Sequence, residues 1–180
     1  LRYLESKLLI NFHEITVSED TLLHCASRSG NLEMLKYIVS KIDLAEVNFE
    51  FLSSQDYTPL CEAVRKGHLN IVKYLVEAQN CQVSNHALYA PPLLALACRS
   101  RRFHCVRLEM LKYLVEAGAA LEGSPHETLL SIAASSRTTD LECTEYILQE
   151  IVKRNLPTSV SDGYFSSPIS SIFNREKDPI

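Results

Sequence analysis

Tyrosine returns at a near-constant interval along this chain, each time in the same company. Leu1-Arg2-Tyr3, Leu35-Lys36-Tyr37, Val72-Lys73-Tyr74 and Leu111-Lys112-Tyr113 repeat an aliphatic, basic, Tyr tripeptide, and Thr144-Glu145-Tyr146 is a degraded fifth copy. The tyrosines stand 34, 37, 39 and 33 residues apart. A period of that length is one supersecondary unit, too small to bury its own apolar face, so neighbouring units must stack to make a continuous core. The chain is thereby constrained to a repeat array, an architecture that presents an extended surface to a partner.

A second signature precedes four of the tyrosines: Thr21-Leu22-Leu23-His24-Cys25-Ala26, Thr58-Pro59-Leu60-Cys61-Glu62-Ala63, Pro91-Pro92-Leu93-Leu94-Ala95-Leu96-Ala97 and Thr128-Leu129-Leu130-Ser131-Ile132-Ala133-Ala134. Ser167-Pro168-Ile169 opens the same way. Thr or Ser before the first turn can accept a bond from an orphan backbone N–H, and Pro in the first helical position gives up a donor that had no partner. These stretches predict helix starts. Gly30 and Gly67 predict the ends of short first helices, where a left-handed residue is needed. In the second helix that follows, Leu69, Val72, Leu75 and Val76 make an apolar stripe, with Asn70, Lys73 and Glu77 on the other face.

Units of this kind resemble ankyrin repeats, whose pattern runs Thr-Pro-Leu-His-x-Ala-Ala, two variable residues, Gly-His and an aliphatic-rich second helix. Thr58 to Ala78 is the most complete copy. The resemblance implies an all-α solenoid of stacked helix-turn-helix units with irregular connecting fingers and a concave face. It divides the chain into 1–16 (the second helix of a preceding repeat), repeats at 17–53, 54–86, 87–123 and 124–162, and a truncated repeat or cap at 163–180. Leu60, Ala63, Leu69, Val72, Leu75, Leu93, Leu96, Leu111, Leu114, Leu130, Ala133 and Ile147 are the expected core. The family's His after Leu survives only as His24, with Cys61, Leu94 and Ser131 in its other places. Extra residues between the helices of the third unit, Arg101 to Cys105 among them, predict a lengthened turn.

Composition narrows the function. With 46% apolar and 22% charged residues, the 180-residue chain is long enough for one domain with a substantial core. A net charge of −4 argues against bulk attraction to nucleic acid or an anionic membrane and directs attention to local patches. No apolar run approaches the roughly 20 residues that cross a bilayer, so no membrane insertion is expected. Of six cysteines, Cys25, Cys61 and Cys98 lie in stretches that read as packed helix, where a free thiol acts as a small hydrophobe. Reduced thiols and a cytoplasmic location, with the nucleus as the alternative, follow as expectations. The chain starts at Leu1, inside what reads as a second helix, and is expected to be a piece of a longer protein.

No phosphate loop, nucleophile elbow, His-Glu-x-x-His or Cys-x-x-Cys occurs, so neither an enzyme nor a cofactor is expected. Cys98, His104 and Cys105, with Cys81 or His86, match no standard zinc spacing and carry no metal expectation. Ser167 reads as a helix cap rather than a phosphorylation site. The informative residues are variable ones that the resemblance places on the concave face. Arg28, Arg65 with Lys66, and Arg99 stand at one stacked place, just before the end of each first helix. Val17, Ser18, Asp20, Gln55, Tyr57, Leu88 and Ala90 fall on the fingers, and Arg101 and Arg102 on the third-unit insertion. The expected partner-binding set is Arg28, Gln55, Tyr57, Arg65, Lys66, Leu88, Arg99, Arg101 and Arg102. It predicts a non-enzymatic module that takes a protein or peptide with an acidic surface. The alternative is a spacer or autoinhibitory segment that packs against its own parent chain.

Overall fold

The computed structural model describes residues 19–42, 48–83, 92–100, 104–121, 129, 132 and 141–156. Within them the helices come in pairs. Helix α1 (Leu22–Ser29) is followed by α2 (Leu32–Val39), and α3 (Pro59–Lys66) by α4 (Leu69–Lys73), which runs on through a π-helical turn at Tyr74–Ala78. The next pair is α5 (Leu93–Arg99) and α6 (His104–Glu116). In the fourth unit Leu129 and Ile132 are helical and buried ahead of α7 (Leu141–Lys153). First helices pack on first helices, α1 on α3 and α3 on α5; second helices meet likewise, α4 on α6 and α6 on α7. Among the described residues there is no strand, only an isolated bridge at Thr21.

The start and stop signals act as the sequence predicts. Thr58 is extended and its hydroxyl accepts the Cys61 N–H at 3.2 Å, ahead of Pro59 in the first turn. Gly67 takes φ 72, and the chain closes α3 with bonds from the Gly67 N–H to the Val64 carbonyl (3.0 Å) and from the His68 N–H to the Ala63 carbonyl (2.9 Å). That paired closure satisfies carbonyls the helix would leave orphaned. Gly30, at φ 80, is demanded twice over. A Cβ there would lie 2.4 Å from the His68 ring, which crosses from the next unit to bond the Arg28 carbonyl at 3.2 Å. Just before α3 the chain folds on itself, with no ladder among the described residues: the Ser53 N–H bonds the Tyr57 carbonyl, and the Asp56 N–H bonds the Ser53 carbonyl.

Most of the expected core is buried: Leu60, Ala63, Val72, Leu75, Leu93, Leu96, Leu111, Leu114 and Ile147. Leu69 is half-buried instead, as is Val76, while Ile71 is fully enclosed. Each helical residue turns about 100°, so a buried face centred on Ile71, Val72 and Leu75 leaves Leu69 and Val76 on its flank. Helix α6 begins at His104, so His104 and Cys105 belong to the second helix and not to a turn. Leu130, Ala133, 1–16 and 163–180 lie outside the described residues.

Candidate interaction edge

His24 begins the edge formed by the first helices and the chain entering them. It is fully buried, with Nδ1 accepting the Thr21 backbone N–H at 3.2 Å and lying 2.9 Å from the Thr21 hydroxyl. Its Nε2 therefore carries the proton and donates to the Tyr57 carbonyl, 2.9 Å away in the next unit. Burial holds its pKa below the ordinary 6.5, against the opposing pull of the Tyr57 carbonyl, Asp20 and Glu62. The imidazole thus splices the cap of α1 to the loop that leads into α3.

One turn along α1, Arg28 reaches across the same junction. Its Nη2 donates to the Asp20 carboxylate at 2.7 Å and to Glu62 Oε1 at 3.2 Å. The other oxygen of Glu62 accepts from Arg65 Nη2 at 2.8 Å. Glu62 has 0% side-chain exposure, so one enclosed carboxylate ties two guanidiniums from adjacent units, and Asp20 supplies the second counter-charge. Burial works against the charge on Arg28, but its bonds to Asp20 and Glu62 outweigh this and raise its pKa above the usual guanidinium value. Arg65 also stacks over the Tyr57 ring, 5.4 Å from its centroid. The Nε atoms of Arg28 and Arg65 are buried without a hydrogen-bond partner.

Of the residues expected to meet a partner, Arg28, Tyr57 and Arg65 thus come together in one cluster. Lys66 is half-buried beside it, Arg99 is exposed at the end of α5, and Gln55 is exposed on the loop before α3. Leu88, Arg101 and Arg102 lie outside the described residues, as do Val17, Ser18 and Ala90. Asp20, expected on an open ridge, is buried, because Arg28 draws it in. Glu62 was absent from the expected set. Its signal was legible: a carboxylate three residues before Arg65 and 34 after Arg28, one repeat length away.

The second helices carry a different edge. Lys36 stands over the Tyr74 ring, Lys73 over Tyr113 and Lys112 over Tyr146, with 5.5 to 6.0 Å between each ammonium and the ring centroid. In these three tripeptides the basic residue therefore covers the tyrosine of the next. The Tyr113 hydroxyl donates to Glu77 at 3.0 Å. Glu33, Glu77, Glu109, Glu116, Glu142 and Glu145 are all exposed here. Among the described residues no group of three or more His, Cys, Asp or Glu side chains is placed to hold a metal ion. Burial raises the thiol pKa of Cys25 and Cys61, and pushes that of Cys81 up to about 12 with help from Glu50, so these thiols stay protonated and serve packing.

A family model for ankyrin repeats matches residues 5–87 as three copies. No curated protein matches the chain. No helix among the described residues is long and apolar enough to cross a membrane.

Proposed function

Since residues 5–87 are ankyrin repeats, we propose that the stack is a binding module without catalysis of its own, which holds a protein or peptide partner along its first-helix edge. The observation that supports this reading is the concentration of basic and aromatic side chains there: Tyr57, Arg28, Arg65, Lys66 and Arg99 occupy equivalent or adjoining places in three consecutive units. An acidic segment of the partner is drawn toward Lys66 and Arg99, with Arg101 and Arg102 adjoining Arg99 in sequence.

The test begins with the partner that the intact chain retains from cytosol. Lys66→Glu with Arg99→Glu should weaken that binding by about tenfold or more and flatten its salt dependence. Glu109→Lys with Glu116→Lys, on the second helix of the third unit, is the control and should leave it within about twofold. Equal loss from both pairs would remove the assignment of the edge. A chain that binds nothing in trans would instead point to packing against its own parent protein.

A further inference from the structure

The carboxylate of Glu62 does more than join two repeats, and its place suggests what the partner must offer. We infer that Glu62 is a positioning residue that masks the charge of Arg28 and Arg65, so that the partner group seated over them is a neutral hydrogen-bond acceptor, such as a backbone carbonyl, and not a carboxylate. The inference rests on the reading that this edge is the binding edge. Both oxygens of the enclosed Glu62 are engaged, one by each arginine, and Arg28 holds Asp20 as well. Two guanidinium charges thus face two carboxylates, so the charges of these four side chains balance. Each arginine has engaged its Nη2 and buried its Nε, yet their side chains remain 36% and 33% exposed. The donors left for a partner are the Nη1 N–H groups of both arginines and the second Nη2 N–H of Arg65. A ligand carboxylate placed there would meet Asp20 and Glu62 across the same guanidiniums, where like charges repel strongly at partly buried separations. A carbonyl accepts the same N–H groups without that repulsion. The Tyr57 ring under Arg65 adds a flat floor beside them.

The probe is a fluorescein-labelled peptide of ten glutamates, titrated against the intact chain at low salt and followed by anisotropy. Glu62→Gln keeps the shape of the side chain and unmasks one positive charge, and should tighten binding at least about tenfold. No gain in Glu62→Gln would overturn the inference. Circular dichroism establishes that the variant folds. If it does not, the unaltered chain still decides: its Arg28 and Arg65 Nε–H NMR signals should stay in place as the peptide is added to saturation, and movement of those signals would refute the masking. Failure of this inference leaves the edge itself standing. Failure of the edge shows separately, as native partner binding that survives Lys66→Glu with Arg99→Glu.

Discussion

The two edges of this stack join neighbouring units by opposite means. Along the second helices, one device recurs at three junctions: a lysine over the tyrosine of the next unit, half in solvent. Along the first helices, the junction between the first two described pairs is made once, by groups specific to it and centred on the buried His24 and Glu62: His24 to the Tyr57 carbonyl, Arg28 and Arg65 to Glu62, and His68 against Gly30. Repetition suits weak exposed contacts, because each can be lost at small cost. Burial concentrates the free energy in a few groups, each of which leaves a stranded partner if removed.

The largest test of that contrast is to strand the carboxylate. Arg28→Met with Arg65→Met leaves Glu62 enclosed and unpaired, and should lower stability by about 3 to 5 kcal/mol, because an uncompensated buried charge keeps its desolvation cost. Adding Glu62→Met should restore most of the loss. A double variant that melts like the unaltered chain would show that water reaches Glu62 and that the edge is softer than its burial implies. Urea midpoints for the three chains decide between these outcomes.

Next in size is Gly30→Ala. A left-handed conformation costs an L-residue about 1 to 2 kcal/mol, and displacing the His68 ring forfeits its bond to the Arg28 carbonyl, about 1 kcal/mol more. Gly118, at φ 92 with nothing within 4 Å of a built Cβ, supplies the comparison. Gly118→Ala should cost the backbone strain alone. Equal melting shifts for the two variants would show that His68 moves aside freely.

His24 separates the edges by pH. Its folded pKa lies below the unfolded 6.5 because burial disfavours the imidazolium. The contribution is therefore complete above pH 6.5 and is lost as pH falls from there through the folded value, since only the unfolded chain takes up the proton in that window. Unfolding free energy should decline between pH 7.5 and 5.5, and His24→Gln should flatten the decline. An unchanged slope in the variant would assign it to other groups.

What the sequence disclosed follows from where each force leaves its mark. Helix starts and stops were legible because Thr58, Pro59, Gly30 and Gly67 act on the ends of their own helices, within a few residues in sequence. The stacking order was legible in the tyrosine period. The pairing behind it was not: a lysine next to a tyrosine in sequence reads as an exposed face, and only the geometry of stacked helices puts Lys36 over Tyr74 and not over Tyr37. The basic strip was legible as positions, but the pairing of Arg28 and Arg65 with Asp20 and Glu62 was not, because the burial of those carboxylates depends on their neighbours in the fold. Leu69 and Ile71 show the same limit at smaller scale, since a periodic pattern fixes a face to within about one residue.

The smallest expected effect is on the lysine and tyrosine ladder, and it tests whether the ladder holds the units together or merely decorates them. At Lys73 and Tyr113 the ammonium stands 5.5 Å from the ring centroid, while the phenol donates to Glu77 one turn further along the same helix. A double-mutant cycle with Lys73→Met and Tyr113→Leu isolates the pair, and its coupling should be about 0.5 to 1 kcal/mol, as for other cation–π contacts near solvent. Unlike the His24 junction, this one should not respond between pH 5.5 and 7.5. Burial and the Glu77 bond push the Tyr113 phenol up to about 12, so its contribution is complete below the unfolded value of 10 and is lost only as pH rises from there toward 12. A coupling near zero would reduce the tripeptide to a packing pattern. A coupling several times larger would mean that the second helices, and not the Glu62 cluster, fix the register of the stack.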